Sequence, residues 1–146
     1  MIAANLRTKI KAILDTLVVS GDLSLVLNRS FKAHPLADPN LTKFPAVILQ
    51  PPSFESIELD TATNERTYTF DMVVIMKGDD ITSIDQIETL AETISNAFDD
   101  DFTLDGVAEG GVSPAVSPIE QDEFNGAQLV TFVVTIKPRV CYTITS

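Results

Sequence analysis

Residues 66–76 constrain the fold more than any other stretch of this sequence, because their pattern is that of a long β-strand. Every second side chain is aromatic or aliphatic, which is typical of a strand with one face against a core. That face would carry Tyr68, Phe70, Met72, Val74 and Met76. The opposite face begins polar, with Thr67, Thr69 and Asp71, and becomes apolar at Val73 and Ile75. We therefore predict a strand that is half solvated at one end and covered on both faces at the other.

Two segments before the long strand are predicted to be strands as well. Residues 44–50 form an almost unbroken apolar run that ends at Pro51 and Pro52, which indicates burial on both faces or at an interface. Residues 54–59 alternate imperfectly and lead through the polar residues 61–65 into the long strand. Residues 54–59 and the long strand at 66–76 would form a long β-hairpin.

Three further segments complete the predicted sheet. Residues 127–137 are rich in β-branched side chains and follow the turn pair Asn125-Gly126, which predicts a closing strand. Residues 112–119 are expected to form an edge strand, because their prolines would interrupt the hydrogen bonding of a central one. Short alternating stretches in residues 24–32 predict weak strands, which a proline-containing loop at 34–40 follows.

Two segments have the periodicity of amphipathic helices. The first covers about residues 2–17 and is expected to stop at Ser20-Gly21-Asp22. The second begins after Ser83, its predicted N-cap, and places Asp85 and Glu88 in the first turn, where the helix dipole favours acids. Its apolar stripe consists of Ile84, Ile87, Leu90, Ala91, Ile94, Ala97 and Phe98.

The order helix, strands, helix, strands predicts the fold class. We expect one α+β domain over residues 1–146, with an antiparallel or mixed β-sheet, two main helices packed on one face and a long β-hairpin. The first residues lack the apolar core of a signal peptide, and no apolar run approaches the roughly 18 residues of a membrane span. These features predict a soluble protein that is not exported.

Charge limits the partners of such a domain. The chain has 21 Asp and Glu residues against 10 Lys and Arg residues, with a net charge of −11. An acidic surface repels phosphates, so nonspecific nucleic-acid binding through a basic patch is not expected. The ordinary interpretation of this charge is solubility, and the alternative is a channel wall along which DNA slides without sticking.

The residues needed for catalysis are scarce. The only histidine, His34, lies beside Pro35 in a loop and is expected at the surface rather than in a catalytic site. No nucleotide-binding or hydrolase motif is present, so we predict no catalytic residues, no cofactor and no enzyme activity. A two-carboxylate enzyme remains an alternative because acid pairs are arranged in space rather than in sequence. The single cysteine, Cys141, excludes an intramolecular disulfide and is expected to be a buried or strand-paired thiol.

One acidic loop partly matches a calcium-binding pattern. Asp101, Thr103 and Asp105 place oxygens at its first, third and fifth positions, and Gly106 occupies the sixth. The twelfth position is Val112 instead of the glutamate that closes such a loop, so we predict no metal site and an ordinary solvated acidic turn. The run Asp99, Asp100 and Asp101 is expected just past the second helix, pointing into water or toward a basic partner.

The hairpin supplies the candidate subunit interface. Its first strand places Phe54, Ile57 and Leu59 among acidic residues, between two prolines and a polar turn, so these apolar side chains need a partner. Arg66 and Tyr68 are the candidate contacts on its second strand. The alternative is an ordinary hairpin that folds onto its own sheet.

The order of segments resembles a known family. It is carried by the opening helix, F-P-A-V-I-L at 44–49, R-T-Y-T-F-D-M-V-V-I at 66–75, I-E-T-L-A-E-T-I-S-N-A-F at 87–98, T-L-D-G-V at 103–107 and L-V-T-F-V-V-T-I at 129–136. These segments span most of the chain and are similar to those of the tail terminator and related minor tail proteins of long-tailed bacteriophages. Residues between 20 and 43 and between 109 and 123 have no counterpart in that pattern.

This resemblance implies a structural role in a virion tail or neck. Such proteins form a ring, usually a homohexamer, that caps the tail tube, ends its polymerisation and offers a docking surface for the head. The implied partners are other copies of the chain, the tail tube protein and a head-completion or neck protein, with DNA passing through the lumen without specific binding and with no membrane. Two alternatives stay open: another neck or tail component, such as a head-completion or tube protein, and a small calcium-binding module or acid-dependent enzyme.

Overall fold

The long strand expected around residues 66–76 is the centre of the fold. A computed structural model describes residues 2–30, 34–124 and 126–143. Two short 3-10 turns, Pro35–Ala37 and Gly78–Asp80, accompany the main elements. Those elements are α1 (Ile2–Ser20), β1 (Leu25–Asn28), β2 (Ala46–Leu49), β3 (Ser53–Glu58), β4 (Thr63–Lys77), α2 (Ile84–Asp100), β5 (Ala115–Val116), β6 (Glu120–Phe124), β7 (Ala127–Ile136) and β8 (Arg139–Thr143).

The sheet is mixed, as expected, because β1 and β2 are parallel while the other strand pairs are antiparallel. The central strand β4 has different neighbours along its two halves. Its second half lies between β2 and β7, and its first half lies between β3 and β8. We call the three-stranded ribbon formed by residues 53–69 and 139–143 the arm.

Prolines mark both places where the arm leaves the main sheet. Pro51 and Pro52 separate β2 from β3, and Pro138 separates β7 from β8. Pairing with β4 continues across these breaks, since the Gln50 N–H donates to the Asp71 carbonyl and the Tyr68 N–H donates to the Pro138 carbonyl, each at 2.9 Å. A proline lacks the N–H that a regular ladder needs, so each flanking strand is interrupted at this point while β4 continues through it.

The main core lies between the two helices and one face of the sheet. Leu6, Ile10 and Leu14 of α1 and Ile94 and Phe98 of α2 are fully buried within it. The expected face of β4 completes this core with Tyr68, Phe70, Met72, Val74 and Met76. Burying one such side chain contributes about 1.5–3 kcal/mol, so the helices are held mainly by this contact.

A smaller apolar cluster covers part of the opposite face of the sheet. Ile48, Ile75 and Leu129 are buried there, and Leu36 and Phe44 from the preceding loop pack against them. Asp71, by contrast, is exposed toward the other end of the strand. The prediction of a strand covered on both faces at one end only is therefore confirmed, as is burial of all of β2.

The helix ends differ slightly from the expected ones. Helix α1 continues one turn further, to Ser20, before Gly21 adopts a φ of 89° and the Asp22 N–H donates to the Leu17 carbonyl at 3.0 Å. Helix α2 begins after Ser83 as expected, but Asp85 is the only acid in its first turn. It also runs through Asp100, so Asp99 and Asp100 lie in its last turn rather than beyond it.

Several strand predictions need correction. The edge strand expected at 112–119 is reduced to the two residues of β5, because Pro114 and Pro118 bracket it and cannot donate to β7. Two strands, β6 and β8, were not predicted at all. Cys141 lies in β8, where it pairs with Glu65 of β4 and is exposed, so of the two expected alternatives the strand-paired thiol is confirmed and the buried one is wrong. None of the helices in the described part of the chain is long and apolar enough to cross a membrane.

Candidate interaction surfaces

The arm exposes the apolar residues of the predicted interface. Strand β3 is exposed along its whole length, and Phe54, Ile57 and Leu59 are each more than half exposed. Within the described residues β3 pairs only with β4, which leaves its outer backbone edge open. An open edge with apolar side chains is a template for pairing with another strand.

Three of the five candidate residues come together on the helix-facing side of the arm. The ring centroids of Phe54 and Tyr68 lie 5.2 Å apart, and the Arg66 guanidinium lies 5.6 Å from the centre of the Phe54 ring. Tyr68 is only 3% exposed and belongs to the main core. Tyr68 therefore lies on the core side of Phe54 and contacts its ring, and Phe54 and Arg66 form the accessible part of this cluster.

The other two candidates occupy different parts of the arm. Ile57 pairs with Glu65, whose other neighbour is Cys141, so it lies on the face opposite Phe54. Leu59 lies in the connecting turn, where its N–H donates to the Thr63 carbonyl at 3.0 Å. Asp60 tightens this turn by accepting the N–H groups of Ala62 and Thr63, each at 2.8 Å. The predicted residues thus cover both faces and the tip of the arm.

A cleft lies beside Phe54 and Arg66. It has a volume of about 560 Å³, and its lining is completed by Ile2, Ala3, Pro52 and Tyr142. Two buried polar atoms of the arm, Arg66 Nε and Asn64 Oδ1, have no hydrogen-bond partner among the described residues. Leaving a buried polar group without a partner costs about 1–3 kcal/mol.

A second surface, which was not predicted, is a groove of 590 Å³ at the start of α2. Helix α2 contributes Ile84 and Ile87, and the hairpin of β6 and β7 contributes Ile119, Asp122 and Val130. Ile84 is 59% exposed and Ile119 is 40% exposed, although both are large and apolar. We call this surface the α2 groove.

The acidic loop after α2 has an internal structure of its own. Asp101 accepts the Asp105 N–H at 2.9 Å, and the Asp105 carboxylate pairs with Lys9 at 3.0 Å. Val112 is buried and has no side-chain oxygen, so its side chain offers no ligand at the position where a calcium loop needs one. Across the described ranges, no group of three His, Cys, Asp or Glu side chains is arranged to hold a metal ion.

His34 lies at the surface, as expected, and accepts the Leu36 N–H through Nδ1 at 3.2 Å. It caps the short turn that follows.

Tyr142 and the two exposed isoleucines were missed for different reasons. Tyr142 lies in a short strand after Pro138, where five residues with mixed polarity give no strong period. Ile84 was assigned to the buried stripe of α2 because its spacing fits, yet it lies at the first helical position and extends beyond the core. The one apolar residue that directly precedes the polar run at 120–123, Ile119, was the signal that could have revealed the groove.

No protein-family model matches the chain, and no curated protein matches it. Among solved structures, it is similar to a chain of the virion of a native gene transfer agent particle. The two share 16% sequence identity with a TM-score of 0.47, and the likeness covers 97% of this chain and 92% of the other.

Proposed function

We propose that this protein is a structural subunit of a phage-like virion that forms a ring on the end of the tail tube. The ring ends polymerisation of the tube and provides the surface on which the head docks. This proposal rests on the family resemblance of the sequence segments and on one structural observation, which is the arm with its open edge.

The arm supports assembly because it exposes what an isolated protein normally hides. Phe54 and Ile57 project from a strand whose outer backbone edge is unpaired within the described residues, and Leu59 is exposed in the turn that follows it. A neighbouring copy that pairs with this edge would satisfy backbone groups and bury apolar area together. When the surface that receives the arm differs from the arm itself, the contact is heterologous, and repeated copies close into a ring when the rotation between neighbours closes.

Charge supports a ring through which DNA passes. Each copy carries a net charge of −11, and a lumen lined by acids would repel the DNA phosphates. Such a ring needs no base-specific contact and no catalytic group. The tail tube and a head-completion or neck protein are the proposed docking partners on its two sides.

The test is direct observation of assembly. Purified protein is examined by sedimentation velocity over a range of concentrations and by electron microscopy, alone and with preformed tail tubes. Rings, and tubes capped at one end, are the expected result. A protein that stays monomeric in both conditions would overturn the proposal, and incorporation along the tube would favour a tube protein instead.

A further inference from the structure

The α2 groove is a preformed surface. Buried Ile87 and Val130 close its base, while the exposed Ile84 and Ile119 stand at its two sides. The turn after β4 packs closely against the hairpin of β6 and β7 at one end of the groove. A Cβ added at Gly78 in this turn would lie 2.9 Å from the Gln128 carbonyl oxygen, so only glycine fits this close approach. A groove that exists before binding loses little conformational entropy when a partner enters.

An open strand edge borders the groove. Strand β6 pairs with β7 from Glu120 to Phe124, and no strand of the described chain pairs with its other side. An extended segment that adds to this edge would place alternate side chains on opposite faces. One set would point toward the isoleucines of the groove and Glu123, and the other set would lie on the opposite face of the strand beside Glu120 and Asp122.

The charge of this surface selects the partner. Asp122 and Glu123 line the groove, and Glu120 precedes them on the same strand. The ion pairs among the described residues, Lys9 with Asp105 and Lys11 with Asp15, include none of these acids. Opposite charges across a strand pair stabilise it and like charges destabilise it, so a basic segment is favoured.

A second copy of this chain does not meet that requirement. The net charge is −11, and the open strand of the arm carries Glu55 and Glu58, which would face the acids of β6. We therefore propose that the α2 groove binds an extended segment of a different protein, in which Lys or Arg alternates with apolar residues. The segment adds a strand to β6 and places an apolar side chain between Ile84 and Ile119.

This surface is independent of the arm. Strand β4 begins in the arm at Thr63 and ends beside the groove at Lys77, so at about 3.3 Å per residue the tip of the arm lies roughly 45 Å from the groove and the position of Tyr68 lies roughly 30 Å from it. Loss of binding at one surface can thus be measured without disturbing the other.

The test uses two short synthetic peptides, one alternating lysine with valine and one alternating glutamate with valine. Fluorescence anisotropy with the intact protein should show binding of the lysine peptide and at least about tenfold weaker binding of the glutamate peptide. Asp122→Lys should weaken binding of the lysine peptide by about tenfold. The matched control, Glu58→Lys on the arm, changes the net charge equally and should leave affinity unchanged.

The apolar contact is tested separately with Ile119→Ser, for which Val19→Ser is the control at a 90% exposed position on α1. We expect the first variant to lose about tenfold in affinity and the second to lose nothing. Circular dichroism verifies that each variant is folded like the parent. Ile84→Ser provides a second groove variant. Equal losses for Asp122→Lys and Glu58→Lys, or unchanged affinity in both serine variants of the groove, would overturn the proposal. Loss of self-association in Ile119→Ser would also overturn it, since the occupant would then be a second copy.

Discussion

The guanidinium carbon of Arg66 lies 3.8 Å from the centre of the Tyr142 ring, which connects the middle strand of the arm to the last strand of the described chain. On its other side the same guanidinium lies over Phe54 of β3. One cation thus bridges aromatic rings on both neighbouring strands. This contact links the side chains of all three strands of the arm, in addition to the backbone ladders on each side of β4.

The first prediction concerns this bridge. Arg66→Met should keep the packing of the long side chain but remove the attraction of the cation for the rings, at a cost of about 0.5–2 kcal/mol in the free energy of unfolding. Urea denaturation measures it, and a double-mutant cycle with Tyr142→Leu isolates the pair. Lys77→Met, at an exposed position of the same strand, is the control and should have little effect. A coupling energy of zero between positions 66 and 142 would show that the two side chains are only adjacent.

The second prediction concerns the core under α2. Ile94 is fully buried and Leu90 nearly so, and both point into the cluster shared with the sheet. Ile94→Ala and Leu90→Ala should each lower the free energy of unfolding by about 2–5 kcal/mol, because the neighbours cannot fully refill the cavity. Glu92→Ala, on the exposed side of the same helix, should change it by less than about 0.5 kcal/mol. Chemical denaturation of the three variants provides the comparison, and equal stabilities would mean that α2 is not held by this face.

The third prediction concerns how β8 is held. A Cβ at Gly110 would lie 2.7 Å from the Arg139 Cβ, and the Gly110 N–H donates to the Arg139 carbonyl at 3.1 Å. Gly110→Ala should therefore push this loop from β8 and speed amide hydrogen exchange in that strand. Gly21→Ala is the contrast, since Gly21 has a φ of 89° but no atom within 4 Å of the added Cβ. That variant should loosen the end of α1 and leave exchange in β8 unchanged.

The sequence predicted those elements whose side chains repeat with a clear period. Strand β4 and helix α2 each bury a complete apolar face, so their patterns specify both the element and its orientation. Strands β6 and β8 bury too little to show such a pattern, since they are held by backbone pairing with longer strands. Their existence depends on tertiary context, which local periodicity does not contain.

The candidate site shows the same division. The exposed residues Phe54, Ile57 and Leu59 were recognised because apolar and acidic residues lie side by side there without a buried face. Their arrangement was not predictable, because the pairing register decides that Ile57 faces away from Phe54. Tyr142 contacts Arg66 because β8 pairs with β4, and no short-range sequence pattern predicts that pairing.

The last prediction tests the arm as the contact between subunits. Ile57→Asp and Leu59→Asp each place a charge at an exposed apolar position of the arm, where no core packing is removed. We expect both variants to keep the secondary structure of the parent and to weaken self-association or docking on tail tubes by at least about tenfold, because a buried unpaired carboxylate is costly in an interface. Val19→Asp, a matched change at an exposed position on α1, should assemble like the parent. Circular dichroism, sedimentation velocity and tube binding on the same samples separate folding from assembly. Two unfolded variants would show that the arm contributes to the fold of the single chain, and two folded variants that assemble normally would place the ring contact on another surface.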